Sequence, residues 1–181
     1  MLTWLWVVIV VAAALVVAGI VWAATKARRT KALEGRFGPE YDRVAADAPS
    51  RREAEAELRE REQRREEVDI RPLEPQARER YSARWQEVQA RFVDDPVGSV
   101  AAADSMIQNV MRERGYPVED FDTRAADLSV DHSEVVENYR AGHAIAVAHD
   151  RGKAGTDDLR TAIRHYRVLF VELVEPDEVN V

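Results

Sequence analysis

Residues 156–173 read TDDLRTAIRHYRVLFVEL, and within them Leu159, Ile163, Tyr166, Leu169, Phe170 and Leu173 recur at steps of three and four. That is the period of a helix with one apolar face. The acids at its start, Asp157 and Asp158, suit the positive end of a helix dipole. The same pattern repeats upstream. Tyr81, Trp85, Val88 and Phe92 stand four, three and four apart after Pro75. Asp95-Pro96 opens a further helix with Val97, Val100, Ile107, Val110 and Met111 facing inward, and Gly115 with Pro117 closes it. A third start signal spans Asp131 to Glu134, with Val135, Tyr139 and Ala146 carrying its stripe towards Gly152. Four such stripes can close on one another as a small antiparallel bundle. Residues 118–130 read equally as a short helix or an ordered loop, with Phe121 and Leu128 plugging the bundle's end. No alternation of β-branched residues marks a strand, so the expected fold class is all-α.

The other end of the chain obeys a different rule. Residues 2–24, LTWLWVVIVVAAALVVAGIVWAA, hold no charge and one polar side chain, Thr3. As a helix they extend about 34 Å, enough to cross a hydrocarbon core of about 30 Å. Trp4 and Trp6 at one end and Trp22 at the other are expected as membrane-interface anchors. A cleaved signal peptide would carry a basic start and a shorter apolar core. Export followed by cleavage near Ala23 and Ala24 remains the rival reading, and it would reverse the compartment. Gly19 and a small-residue pattern counted from Ala14 or Ala18 give only weak grounds for helix pairing. Lys26, Arg28, Arg29 and Lys31 follow the apolar stretch and are expected to contact lipid head groups. Basic flanks stay inside, so the expectation is a single-pass protein of the bacterial inner membrane. Its N-terminus would face outward, with the C-terminal domain and Val181 in the cytoplasm.

Between these ends, Pro39-Glu40 opens a short helix reaching Ala48. Ser50 then begins SRREAEAELREREQRREE, where Ser50 and Glu53 have the spacing of a capping box. Glu55–Arg59, Glu57–Arg61 and Glu60–Arg64 stand four apart in the favourable order. With six Arg and seven Glu in residues 51–67, and only Ala54, Leu58 and Val68 as an apolar line, the segment reads as a stalk or outer helix. DIRPLEP, with two prolines in residues 69–75, breaks the pattern. The expected organisation is a transmembrane anchor at 1–25, a basic juxtamembrane segment and charged helical neck at 26–74, and the bundle at 75–181.

Composition excludes several chemistries. The 181 residues include no cysteine, and the net charge is -7. Thiolate nucleophiles and Cys-ligated metals are therefore ruled out, and nucleic acid is a poor partner. Up to residue 93 there are 17 basic and 15 acidic side chains; beyond it there are 9 and 18. The distal half is thus an acidic surface open to a basic protein partner. No Glu precedes His132, His143, His149 or His165 by three residues, where Ser129, Arg140, Ala146 and Ala162 stand. The helical di-metal motif is absent, as is a phosphate loop around Gly152–Thr156, because Val147 and Ala154 occupy two of its required positions. The acid pairs Asp94-Asp95, Glu119-Asp120 and Asp157-Asp158 sit at helix starts, where capping explains them.

At RFGPEYDR (36–43), DIRPL (69–73), RFVDDP (91–96), VMRERGYP (110–117) and AADLSVDH (125–132) the chain resembles a recurrent group of uncharacterised bacterial proteins, common in actinobacteria and often carrying one N-terminal span. The resemblance implies an all-helical soluble portion and an inner-membrane setting, and it implies no activity or site residues. The functional expectation is an interaction or scaffolding module with no enzymatic activity, cofactor or metal. It would act on an unknown protein partner through Tyr116 and Phe121, with self-association through the charged helix left open. The alternative is a small-ligand binder or enzyme with a site between bundle helices at Tyr139, His143 and His165.

Overall fold

The computed structural model describes residues 2–175, apart from the side chains of residues 2, 3, 5 and 8–14. Val181, and the side chain of Ala14 in the pairing pattern, therefore lie outside what is described. The chain forms eight helices among these residues and no strand: α1 (Leu2–Phe37), α2 (Pro39–Asp47), α3 (Arg51–Glu66), α4 (Pro75–Arg91), α5 (Pro96–Arg114), α6 (Phe121–Asp131), α7 (Val136–Asp150) and α8 (Thr156–Val174). The all-α expectation holds.

Helix α8 is the centre of the bundle, packing against α4, α5 and α7. Its stripe is buried along its whole length, from Leu159 to Val174. Each fully buried aliphatic or aromatic side chain contributes about 1.5–3 kcal/mol, so this one face supplies much of the fold's drive. Trp85 of α4 stacks on Phe170 with ring centroids 4.6 Å apart. Gly142 lets α7 lie close to α8, since a Cβ there would stand 3.3 Å from the Tyr166 ring. Four residues of the expected stripes escape full burial: Val97 is exposed at the first turn of α5, Phe92 is half-buried where α4 has already ended, and Val135 and Ala146 are half-buried.

The ambiguous segment 118–130 resolves as helix α6. Asp120 caps it by accepting the Thr123 amide at 3.1 Å. Helix α7 starts at Val136, later than its start signal, because residues 132–135 form a turn from His132 first.

A second, smaller core gathers Leu33 and Phe37 of α1, Tyr41 and Val44 of α2, Ala54 and Leu58 of α3, and Val130 of α6. Helix α3 is therefore not a free stalk. Its thin apolar line seats it together with the buried Arg61, and of its three expected ion pairs only Glu60–Arg64 is exposed on both sides, Glu55 and Arg61 being buried. Ser50 caps it by accepting the Glu53 amide at 3.3 Å, while the Glu53 carboxylate takes the Ser50 hydroxyl and not its amide, completing only half of the expected box.

Helix α1 enters this core only at its C-terminal end. Every residue from 15 to 29 is exposed. Among the described residues no helix is long and apolar enough to cross a membrane, so the span expected over residues 2–24 does not follow from the fold.

Candidate functional site

Three places collect buried polar groups. The first is Glu40, fully buried at the join of α2, α3 and α7. One carboxylate oxygen accepts from Arg61 at 2.7 Å, Arg140 at 2.8 Å and Arg43 at 2.7 Å; the other accepts from Arg43 Nε at 2.9 Å. Burial alone would push its pKa up, but the bonds and charges of Arg43, Arg140 and Arg61 outweigh that and hold it below the usual glutamate range. A carboxylate so engaged has no proton to give. It welds helices together.

The second lies where the two cores meet. Helix α5 ends at Gly115 with φ 100°, and a Cβ there would fall 2.5 Å from the Asp69 carbonyl oxygen. Only glycine lets the segment joining α3 to α4 cross at this point. The crossing is pinned by the Arg71 amide donating to the Arg114 carbonyl at 2.9 Å. The chain then turns Tyr116 inward, where it is 3% exposed and donates its hydroxyl to Asp131 at 3.0 Å. Burial first, and the charge of Asp131 next, raise the Tyr116 pKa far above the usual phenol value, so it stays a donor. Arg65 donates to the same Asp131 oxygen.

His132, at the end of α6, is 6% exposed; its Nδ1 lies 2.9 Å from a Glu172 oxygen and its Nε2 is buried without a partner. Arg114 is 6% exposed as well, and donates only to the carbonyls of Arg71 (3.3 Å) and Leu173 (3.1 Å). Arg65, Arg71, Arg114, Tyr116, Asp131 and His132 together line a cavity of about 440 Å³.

The third is a cleft of about 220 Å³ between α5, α7 and α8, with Asp104, His143, His149, Asp150 and Tyr166 among its lining. Oδ1 of Asp104 and the hydroxyl of Tyr166 are both buried there without partners. Burial, then the charge of Asp104, raises the phenols of Tyr139 and Tyr166, Tyr139 to about 12. Burial lowers the His143 pKa and favours its neutral ring, with the Asp104 charge pulling the other way.

The structure divides the residues singled out from the sequence. Tyr116 is buried, not an exposed contact, because the glycine turn before it drives the ring under the crossing segment. Phe121 is half-buried and stacks on His143 with centroids 3.6 Å apart. Tyr139 is fully buried, its hydroxyl accepting from Arg124 at 3.1 Å. His143 reaches the third cleft, but His165 does not join it and instead meets Asn138 at 2.9 Å. Trp4, Trp6 and Trp22 are exposed, at 72%, 65% and 66%. Lys26, Arg28, Arg29 and Lys31 are exposed too. Among the described residues no group of three or more His, Asp or Glu could hold a metal ion.

Sequence reasoning passed over Arg114, Asp131 and Asp104. The available signal for the first two was the turn chemistry of Gly115-Tyr116-Pro117 beside a charged helix end. The segments 69–73, 110–117 and 125–132, distant along the chain, meet at this cavity. No family model matches the chain, and no curated protein or solved structure matches it.

Proposed function

We propose that this chain is a membrane-anchored protein whose helical domain works through contacts with other proteins at the bilayer surface. The observation that carries the reading is the contrast along α1. Leu33 and Phe37 are built into the smaller core, whereas Leu15, Val16, Val17, Ile20, Val21 and Trp22 are all exposed. These successive positions cover the whole circumference of the helix, so no single packing face accounts for them. A helix apolar on all sides is stable only in an apolar surrounding. The uncharged sequence of residues 2–24 extends that girth, and the exposed tryptophans suit an interface.

The continuous helix from this stretch into the smaller core would hold the domain at a fixed height instead of on a slack tether. Lys26, Arg28, Arg29 and Lys31, none in an ion pair among the described residues, would meet anionic head groups. Their position favours a cytoplasmic domain in a bacterial inner membrane. Confinement to the surface raises the domain's effective concentration towards membrane-bound partners. The acidic distal half suits a basic partner.

Flotation of the full chain with phosphatidylglycerol-containing vesicles tests the anchor. Recovery with the vesicles after an alkaline carbonate wash is expected; a monodisperse chain left in the aqueous fraction without detergent would refute it. Proteolysis of inverted membrane vesicles should degrade the helical domain, and protection there would reverse the orientation.

One observation favours a second reading, a small-ligand site. The unpartnered Asp104 oxygen, an acceptor beside the Tyr166 hydroxyl and the His143 ring, gives this cleft a feature suited to a small amine. Titration with simple alkylammonium ions checks it, a thermal shift lost in Asp104→Asn being the supporting result.

A further inference from the structure

The cavity where the two cores meet carries charge that the chain does not neutralise. Arg114 is almost fully buried and permanently cationic, yet its partners are two carbonyl groups and the face of Tyr116, with its guanidinium carbon 5.8 Å from the ring centroid. Among the described residues neither Arg114 nor Arg71 forms an ion pair. The nearby carboxylates are engaged elsewhere. Asp131 is taken by Arg65 and Tyr116, and Glu172 by His132. A desolvated cation without a counter-ion is costly, and the cost is relieved when an anion joins it.

His132 supplies the independent sign. Its ring is buried, Nδ1 is committed to Glu172, and Nε2 has no partner although the residue lines the cavity. Buried polar atoms are normally satisfied. We propose that the cavity is a binding site for a phosphate-type oxyanion, held by Arg71 and Arg114 and by Nε2–H of His132 when its ring carries both protons, Nδ1–H being given to Glu172.

These three side chains come from different elements: the crossing segment, the end of α5 and the end of α6. A tetrahedral oxyanion offers acceptors in several directions, as such a set requires, whereas a planar carboxylate satisfies one fork. Ile70, Pro72 and Val130 complete the lining. That leaves apolar wall for an organic substituent, so a phosphate monoester fits as well as phosphate itself. Binding would tie the crossing segment to both helix ends and so brace the junction between the cores. The site stands on its own residues and does not depend on the membrane reading.

The test uses the full chain in mild non-ionic detergent, with calorimetry and thermal unfolding as readouts. The probes are sodium phosphate, glycerol phosphate, monomeric short-chain phosphatidylglycerol, and sodium chloride at matched ionic strength. Phosphate or glycerol phosphate should bind and raise the unfolding temperature where chloride does not. Arg71→Ala, an exposed position with no ion pair to break, should weaken binding about tenfold, the loss of one charge-assisted contact. Arg114→Lys should weaken it further while keeping the charge, because the planar fork is lost. If only the short-chain phospholipid binds, and Arg71→Ala weakens it, the oxyanion is a lipid head group. If no phosphate-bearing probe does better than chloride, or Arg71→Ala and Arg114→Lys bind like the parent, the proposal falls.

Discussion

The bundle and the smaller helical unit solve the same problem by opposite means. In the bundle, α4, α5, α7 and α8 bury aromatic and aliphatic stripes against one another, with Arg114 and, from α6, Arg124 buried at its edge and one oxygen of Asp104 buried in the cleft beside α7 and α8. In the smaller unit a handful of apolar residues would be too little. There the fully buried Glu40 ties α2, α3 and α7 together through three arginines. Apolar burial tolerates small adjustments because it has no direction. A buried carboxylate tolerates none, since removal of one partner strands the others without solvent. The two regions should therefore fail differently.

The largest effect expected is in the bundle. Trp85→Ala removes the ring stacked on Phe170 and should cost about 3–5 kcal/mol in chemical denaturation. Glu40→Ala should cost a similar amount, about 3–5 kcal/mol, by leaving buried guanidiniums unpaired. What separates the two is rescue and pH. Replacing Glu40 by Leu together with Arg61→Met and Arg140→Met should restore most of the loss, whereas no neighbouring change should rescue Trp85→Ala. The folded pKa of Glu40 lies below its unfolded value. Its stabilising contribution is therefore complete above the usual glutamate range and is lost as pH falls through the lower folded value. The penalty of Glu40→Ala should accordingly shrink in acid, while that of Trp85→Ala holds steady. A Glu40→Ala penalty that does not change with pH would break the comparison.

A smaller effect tests the seam between the regions. Gly115→Ala forces a side chain into left-handed backbone and against the Asp69 carbonyl oxygen. About 1–3 kcal/mol should be lost, and hydrogen exchange should rise in residues 68–73 before it rises in either core. The smallest is local: Ser50→Ala removes the cap of α3 and should cost about 1 kcal/mol, read as a shift in thermal midpoint.

The two regions also differ in how far their sequences disclose them. The stripes of α4, α5 and α8 are visible because helical period and apolar burial coincide residue by residue. Helix α6 was ambiguous because PVEDFDTRAADLSV carries its cap, Asp120, but little apolar pattern. Helix α3 misled for the same reason: Ala54 and Leu58 look too sparse for a core face, and nothing local announces that Glu40 and Arg61 will supply the rest. Tyr116 reads as exposed because it stands between two helices, and only the crossing segment over Gly115 makes it buried. His143 lies beside the stripe of Tyr139 and Ala146, from which it could face His165 across the bundle, yet the side of α8 that bears His165 faces Asn138.

Periodicity and composition alone determined the all-helical class, the places where most helices begin and end, the lack of cysteine chemistry and the uncharged girth of residues 2–24. These are local properties, fixed by which side chains recur at which step. Tertiary structure decided everything that depends on two distant segments meeting. It made Glu40 a buried hub, put Arg114 and His132 on the wall of one cavity, and left Arg114 without a carboxylate partner. Charge is written in the sequence, but whether it is neutralised depends on three-dimensional neighbours, because desolvation and Coulomb attraction act through space and not along the chain.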